Sequence, residues 1–92
     1  MRLIDLIVDF LKHHAKRIIL FGSYARGDYT EQSDIDLIVE FRDRKTLLDL
    51  VRIEREISER IGKKVRILTP NSINKRLRDR ILSEAVVIYE EG

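Results

Sequence analysis

The 92 residues contain no cysteine, which excludes a disulfide framework and a zinc–thiolate site and makes a reducing compartment the default. Proline occurs once and glycine four times, and no low-complexity tract, linker or internal repeat is visible. Long apolar runs are missing too: stretches such as Ile18–Phe21 fall far short of the roughly 20 residues that cross a bilayer. The N-terminus meets a carboxylate at Asp5, too early for a secretory signal, so the expected location is cytoplasmic. A dominant charge is lacking as well. The net charge of +2 is small and dispersed, which argues for a mixed, soluble surface and against a nucleic-acid footprint.

What is present points to a folded unit. Hydrophobic residues make up 43% and charged residues 37%, and the apolar ones fall in periodic blocks, which excludes disorder. The length fits one domain over residues 1–92 with one modest core. A chain of this size buries a little over roughly 60% of its unfolded surface. It is small for an enzyme, so a partner is expected to complete a working site. Abundant Arg and Glu with scarce Asn and Gln hint at a heat-adapted source, without functional weight.

Leu3, Ile4, Leu6, Ile7, Phe10 and Leu11 recur with helical spacing, predicting an amphipathic helix that ends near His13–Lys16. Ile18–Phe21, stopped by Gly22, predicts a buried strand, and Ser23–Gly27 a short helical turn. Residues 28–33 are polar and loop-like, and Asp36–Phe41 is apolar enough for a second strand covered on both faces. Thr46 is the expected cap of a helix carrying Leu47, Leu50, Val51, Glu54 and Ile57 to a stop at Gly62. Lys64–Leu68 reads as a third strand. Ser72 is the expected cap of a last helix through Leu77, Ile81 and Leu82, followed by an edge strand at Val86–Tyr89. The order is that of a two-layer α/β (α+β) arrangement.

The stretch that carries chemistry is Leu20-Phe21-Gly22-Ser23-Tyr24-Ala25-Arg26-Gly27, followed by Ser33-Asp34-Ile35-Asp36-Leu37. Asp34 and Asp36 stand two residues apart at a strand entrance, so both carboxylates project from one face. Two like charges about 6–7 Å apart are unfavourable there unless a divalent cation lies between them and an anionic substrate. Mg²⁺ accepts one or two protein carboxylates together with phosphate oxygens and water. Gly22-Ser23 supplies the other half, because a glycine that opens a helical turn lets backbone N–H groups approach a phosphate. An isolated Asp-x-Asp is usually a solvated strand start, and a lone Gly-Ser is usually just a turn. Both together, with Arg26-Gly27 between them, make the minimum equipment for metal-assisted nucleotidyl transfer from ATP.

Gly22-Ser23, a ten-residue spacer and Asp34-x-Asp36 resemble the signature of the minimal nucleotidyltransferase (MNT) family. The resemblance extends over Lys64–Pro70 and Arg80–Tyr89. It implies a nucleotidyltransferase fold, a mixed β-sheet with helices packed on one side. It also implies a helical HEPN ribonuclease toxin as partner in a hetero-oligomer, the chain acting as antitoxin by transferring AMP to a tyrosine. The family's third carboxylate, in the pattern Val-Asp-Leu-Val-Thr, has no counterpart, because Val65-Arg66-Ile67-Leu68-Thr69 puts Arg66 there. An arginine stays protonated and only donates, so it neither holds a metal nor takes a proton. It can pair with Asp34, Asp36 or a phosphate. Glu40 shares their parity but lies about 13 Å further along the strand, a poor substitute.

The expected catalytic and metal-binding pair is therefore Asp34 and Asp36, with Gly22, Ser23 and Arg26 on the nucleotide and Mg²⁺ as cofactor. Arg26 reads more readily as a brace to Asp28 than as a phosphate ligand. His13 and His14 have no partner pattern. Tyr24 and Tyr29 flank the site and can stack on a base, although packing is the commoner role. Arg76, Arg78 and Arg80 read as a solvated face, or as a surface for an acidic partner or RNA. Two alternatives stand beside AMP transfer. One is an antitoxin that binds nucleotide and neutralises its partner by masking; the other is transfer to a small molecule, which the short chain disfavours.

Overall fold

The computed structural model describes residues 2–91, with the side chain of Arg2 outside the description. Helix α1 (Arg2–Leu11) leads into strand β1 (Ala15–Phe21), the one-turn helix α2 (Ser23–Arg26) and strand β2 (Ile35–Phe41). Helix α3 (Leu47–Ile61), strand β3 (Val65–Leu68), a 3₁₀ turn (Pro70–Ser72), helix α4 (Lys75–Glu84) and strand β4 (Val86–Glu90) complete the order. The strands form one sheet in the order β3-β2-β1-β4. β1 runs antiparallel to β2 and β4, whereas β2 and β3 are parallel. A parallel pair needs a long crossover, and α3 provides it.

Period-2 alternation divides the sheet. Ile18 and Leu20 of β1, Ile35, Leu37 and Val39 of β2, and Val65 and Ile67 of β3 point to one face. There they pack with Ile7 and Leu11 of α1 and Ile57 of α3. Each full burial of such a side chain contributes about 1.5–3 kcal/mol, so this face carries most of the core. The other face has a smaller cluster of Ile19, Ile38 and Ile73, with Phe21, Leu68 and Ile81 packed against it. The mixed sheet with helices is the expected fold class. Its two longer-range covers, α1 and α3, share one face, and α4 is an addition that lies over the opposite one.

Local signals set several boundaries. Thr46 caps α3 through a reciprocal box, its hydroxyl accepting from the Asp49 N–H while the Asp49 carboxylate accepts from the Thr46 N–H. Gly62 ends α3 at φ 74°, a left-handed conformation that suits glycine. α3 also covers a sheet edge. The N–H groups of Val65 and Ile67, facing away from β2, donate to Ser58 Oγ at 2.9 Å and to Glu54 Oε2 at 2.6 Å. Edge donors satisfied by a helix cannot recruit another strand.

Three expectations change. Ala15 and Lys16 belong to β1 rather than to the end of α1, because Ala15 is buried opposite Phe41 and Arg17 pairs with Glu40. Leu47 and Val51 do not face the core but are 78% and 49% exposed; Leu50 and Ile57 do, joined by Ile53 and Ile61. Ser72 does not cap α4. Its hydroxyl closes the 3₁₀ turn onto Thr69, and Asn74 Oδ1 accepts from the Leu77 N–H, which lets Ile73 between them be buried. No helix among the described residues is long and apolar enough to cross a membrane.

Candidate functional site

Three neighbouring strands bring the candidate residues into a row. Phe21 at the end of β1 pairs with Asp36 of β2, and Asp36 pairs with Arg66 of β3. Gly22 follows Phe21 directly, so Gly22, Asp36 and Arg66 lie side by side across the sheet. Asp36 has the parity of Ile38, which places it on the less covered face. Asp34 sits just before β2.

Gly22 is the most constrained point of the row. Its backbone has φ 75° and ψ −153°, a region essentially confined to glycine. A Cβ at that position would lie 2.6 Å from Asp36 Oδ2. The bare backbone and the carboxylate therefore occupy one another's contact surface, and any side chain at residue 22 would push the carboxylate away. After Gly22 the chain turns once as α2, with Gly22 O accepting from the Ala25 and Arg26 N–H groups. Gly27 closes the turn at φ 88°. Ser23 begins this turn half-buried beside the row.

The electrostatics follow from this crowding. Burial pushes the Asp36 carboxyl above its ordinary range; Arg66 opposes that, the Asp34 charge adds to it, and Arg26 opposes it more weakly. A partly desolvated carboxylate facing a second one gains from a cation between them. Asp36 lies against the bare Gly22 backbone and both line one cavity, so the oxygen donors of the pair fit Mg²⁺, a hard cation that takes one or two carboxylates. Among the described residues no group of three or more His, Cys, Asp or Glu could hold a metal ion.

Packing of α4 turns the row into a cleft of about 460 Å³. Gly22, Asp36 and Arg66 line its sheet side, while Leu77, Arg80 and Glu84 of α4 line the other. The sequence reading missed the last three as site residues, because only the fold of α4 over the sheet delivers them. Arg26 reaches the mouth of the cleft and is held on both sides. Its Nε donates to Asp28 Oδ2 at 3.2 Å and its Nη1 to Glu84 Oε2 at 3.1 Å, bonds that keep the guanidinium charged. The brace to Asp28 is the one expected, and the bond to Glu84 adds a tie to α4.

Other candidates lie apart. Tyr24 and Tyr29 stack on each other at 4.2 Å and 7° between planes, beside a separate shallow hollow with Lys63. Glu40 pairs with Arg17 at 3.4 Å, far along β2. His13 and His14 form the α1–β1 turn. Arg78 is not on a solvated face: its Nη2 donates to Pro70 O at 3.0 Å, fastening α4 to the 3₁₀ turn. A larger hollow of about 550 Å³ at the opposite end of the sheet, around Arg42, Lys45 and Pro70, contains none of the motif.

A sheet that brings a glycine-only backbone against one member of a carboxylate pair is the arrangement of a nucleotidyltransferase. Accordingly, residues 5–92 match the family model described as "Polymerase beta, Nucleotidyltransferase", and the chain belongs to that family. A relative from Methanocaldococcus jannaschii, MJ0435, provisionally named a protein adenylyltransferase, is 56% identical over 81 residues, covering 88% of this chain and 87% of its own. A solved toxin–antitoxin structure with AMP-PNP superimposes with a TM-score of 0.85 at 20% identity, over 95% of this chain and 73% of that one. The structure of a tri-AMPylated Shewanella oneidensis HEPN toxin in complex with an MNT antitoxin gives 0.78 at 17% identity, over 97% and 71%. These two establish likeness of fold.

Proposed function

We propose that the protein is a Mg²⁺-dependent adenylyltransferase that acts as antitoxin, transferring AMP from ATP to a tyrosine of a HEPN toxin. The observation that carries this reading is the contact between the Gly22 backbone and the Asp36 carboxylate, with Asp34 two residues away. The name of MJ0435 and the AMP groups on the Shewanella oneidensis toxin support a protein acceptor.

In this mechanism the backbone at Gly22 and the Ser23 hydroxyl bind the triphosphate, and Asp34 and Asp36 would hold Mg²⁺. When bound, Mg²⁺ neutralises charge on the phosphates and acts as a Lewis acid toward them. Gly22, having no Cβ, leaves the Asp36 carboxylate its place beside the turn. Arg26, fixed to Asp28 and Glu84, holds the turn and α4 in register around the nucleotide. The tyrosine oxygen attacks the α-phosphorus, the bond to the β-phosphate bridging oxygen breaks, and pyrophosphate leaves; the hydroxyl proton passes to water. Incubation of the purified protein with labelled ATP, Mg²⁺ and its co-encoded helical partner is expected to label the partner. Label that persists in the Asp34→Ala/Asp36→Ala double variant rules out the assigned pair.

A second reading has its own observation. Arg66 stands beside Asp36 in place of a further carboxylate, and this favours an antitoxin that binds nucleotide and masks its partner without turnover. The two readings part on the mass of the co-expressed partner: an increment of whole AMP units favours transfer, and an unmodified partner that remains neutralised favours masking.

A further inference from the structure

The cleft contains two arginines that the reading above leaves unused. Arg66 projects from β3 and Arg80 from α4, so one belongs to the sheet wall and the other to the helix wall of the same cavity. Arg80 accepts a bond from Ser83 through its carbonyl, but neither its guanidinium nor that of Arg66 makes a hydrogen bond or ion pair among the described residues. The third arginine of the cleft, Arg26, is already engaged by Asp28 and Glu84, which uses up the Glu84 charge. What remains is two arginines whose guanidinium donors are free, against the single carboxylate of Asp36. Leu68 of the sheet wall and Leu77 and Ile81 of the helix wall line the rest of the cavity and offer no acceptor side chain to either guanidinium. Two like charges facing a shared cavity are relieved by an anion. An arginine, permanently charged and with a planar fork of donors, suits phosphate oxygens.

We propose that Arg66 and Arg80 form an anion subsite, across the cleft from Gly22, that receives the phosphate chain of the nucleotide. The subsite rests on the reading of this cleft as the nucleotide's site, and it gives Arg66 a role in place of a missing ligand. The cradle at Gly22 and the two arginines then hold the chain from both sides. Binding energy comes from charge-assisted hydrogen bonds that need no further metal ligand.

Calorimetric titration with a non-hydrolysable ATP analogue in Mg²⁺, and separately with inorganic triphosphate, tests the assignment. Each of Arg66→Ala and Arg80→Ala is expected to weaken both ligands about tenfold, the loss typical of one charged hydrogen-bonding group. Arg66→Lys, which keeps the charge without the fork, should retain part of the affinity. Both positions are exposed, and unchanged thermal unfolding of the variants checks that the fold is intact. If the double variant binds the analogue within about twofold of the parent, a difference under 0.5 kcal/mol, while Asp34→Ala/Asp36→Ala does not bind it, the subsite is wrong and the nucleotide reading survives. Weakened inorganic triphosphate with unchanged analogue overturns the assignment to the nucleotide's phosphates. A parent protein that binds neither ligand overturns both readings.

Discussion

The two faces of the sheet are built from the same strands and do opposite work. On the face under α1 and α3, Leu37 and Val39 are fully buried in the main apolar cluster. One residue along, on the face under α4, the cluster contains three buried residues and gives way to Asp36, Arg66 and the cleft. Period-2 alternation lets one strand supply stability on one side and a partly desolvated charge on the other. The difference shows why so short a chain can hold a site: the reactive face borrows its rigidity from the face behind it.

Large-to-small substitutions on the two faces should separate these roles. Leu37→Ala is expected to cost about 2–5 kcal/mol in chemical unfolding, near the upper end, and Ile38→Ala to fall in the lower half of that range. Equal costs would remove the asymmetry between the faces. Gly22→Ala comes next. Its backbone strain is about 1–3 kcal/mol, and the added Cβ pushes Asp36 from its place, so calorimetry should register lost nucleotide binding as well as lower stability. Gly27→Ala is the control, also at positive φ but with open space around an added Cβ. It should cost only the left-handed penalty of about 1–2 kcal/mol and leave binding unchanged.

Thr46→Ala loosens the helix that covers the stable face, by about 1 kcal/mol, with nucleotide affinity unaltered. The other half of the capping box survives in this variant and carries a pH signature. The backbone N–H of Thr46 holds the Asp49 carboxylate below its ordinary range, so the capping contribution is present above that range and lost as pH falls through the lowered value. The smallest effect is expected at Asp36, with the opposite sign. Because burial raises its pKa, its contribution is favourable below the ordinary carboxylate range and is lost as pH rises through the raised value. Asp36→Asn should therefore slightly raise the melting temperature of the ligand-free protein at neutral pH while weakening Mg²⁺–nucleotide binding. A fall in melting temperature would mean that the carboxylate stabilises the fold. In the parent protein, binding should weaken as pH falls through the same raised value, since a metal ligand must be deprotonated.

Locally encoded features were legible in the sequence. Thr46, Gly62 and the Ser23–Gly27 turn work through their own backbones, so residue type and spacing suffice. β1 reads too short from the sequence because His13–Lys16 suit a helix end; only cross-strand partners, Glu91 N–H on the Lys16 carbonyl and Glu40 and Glu90 on Arg17, make the stretch a strand. Arg78 looked like a surface charge because its acceptors, Pro70 O and Ile73 O, depend on the docking of the 3₁₀ turn. The Gly-Ser and Asp-x-Asp pairs announced the sheet side of the candidate site. Arg80 and Glu84 did not announce themselves, because nothing near them in the chain indicates which face of the sheet α4 will cover.

β4 pairs with β1 along Arg17–Leu20, next to the bend at Gly22. A ribosome delivers β1 before β4, so the strand that leads to Gly22 waits with one flank bare until β4 emerges. A nascent chain halted before residue 86 has the whole motif in its sequence and lacks the brace that fixes its geometry. The geometry at Gly22 is therefore complete only once β4 has paired.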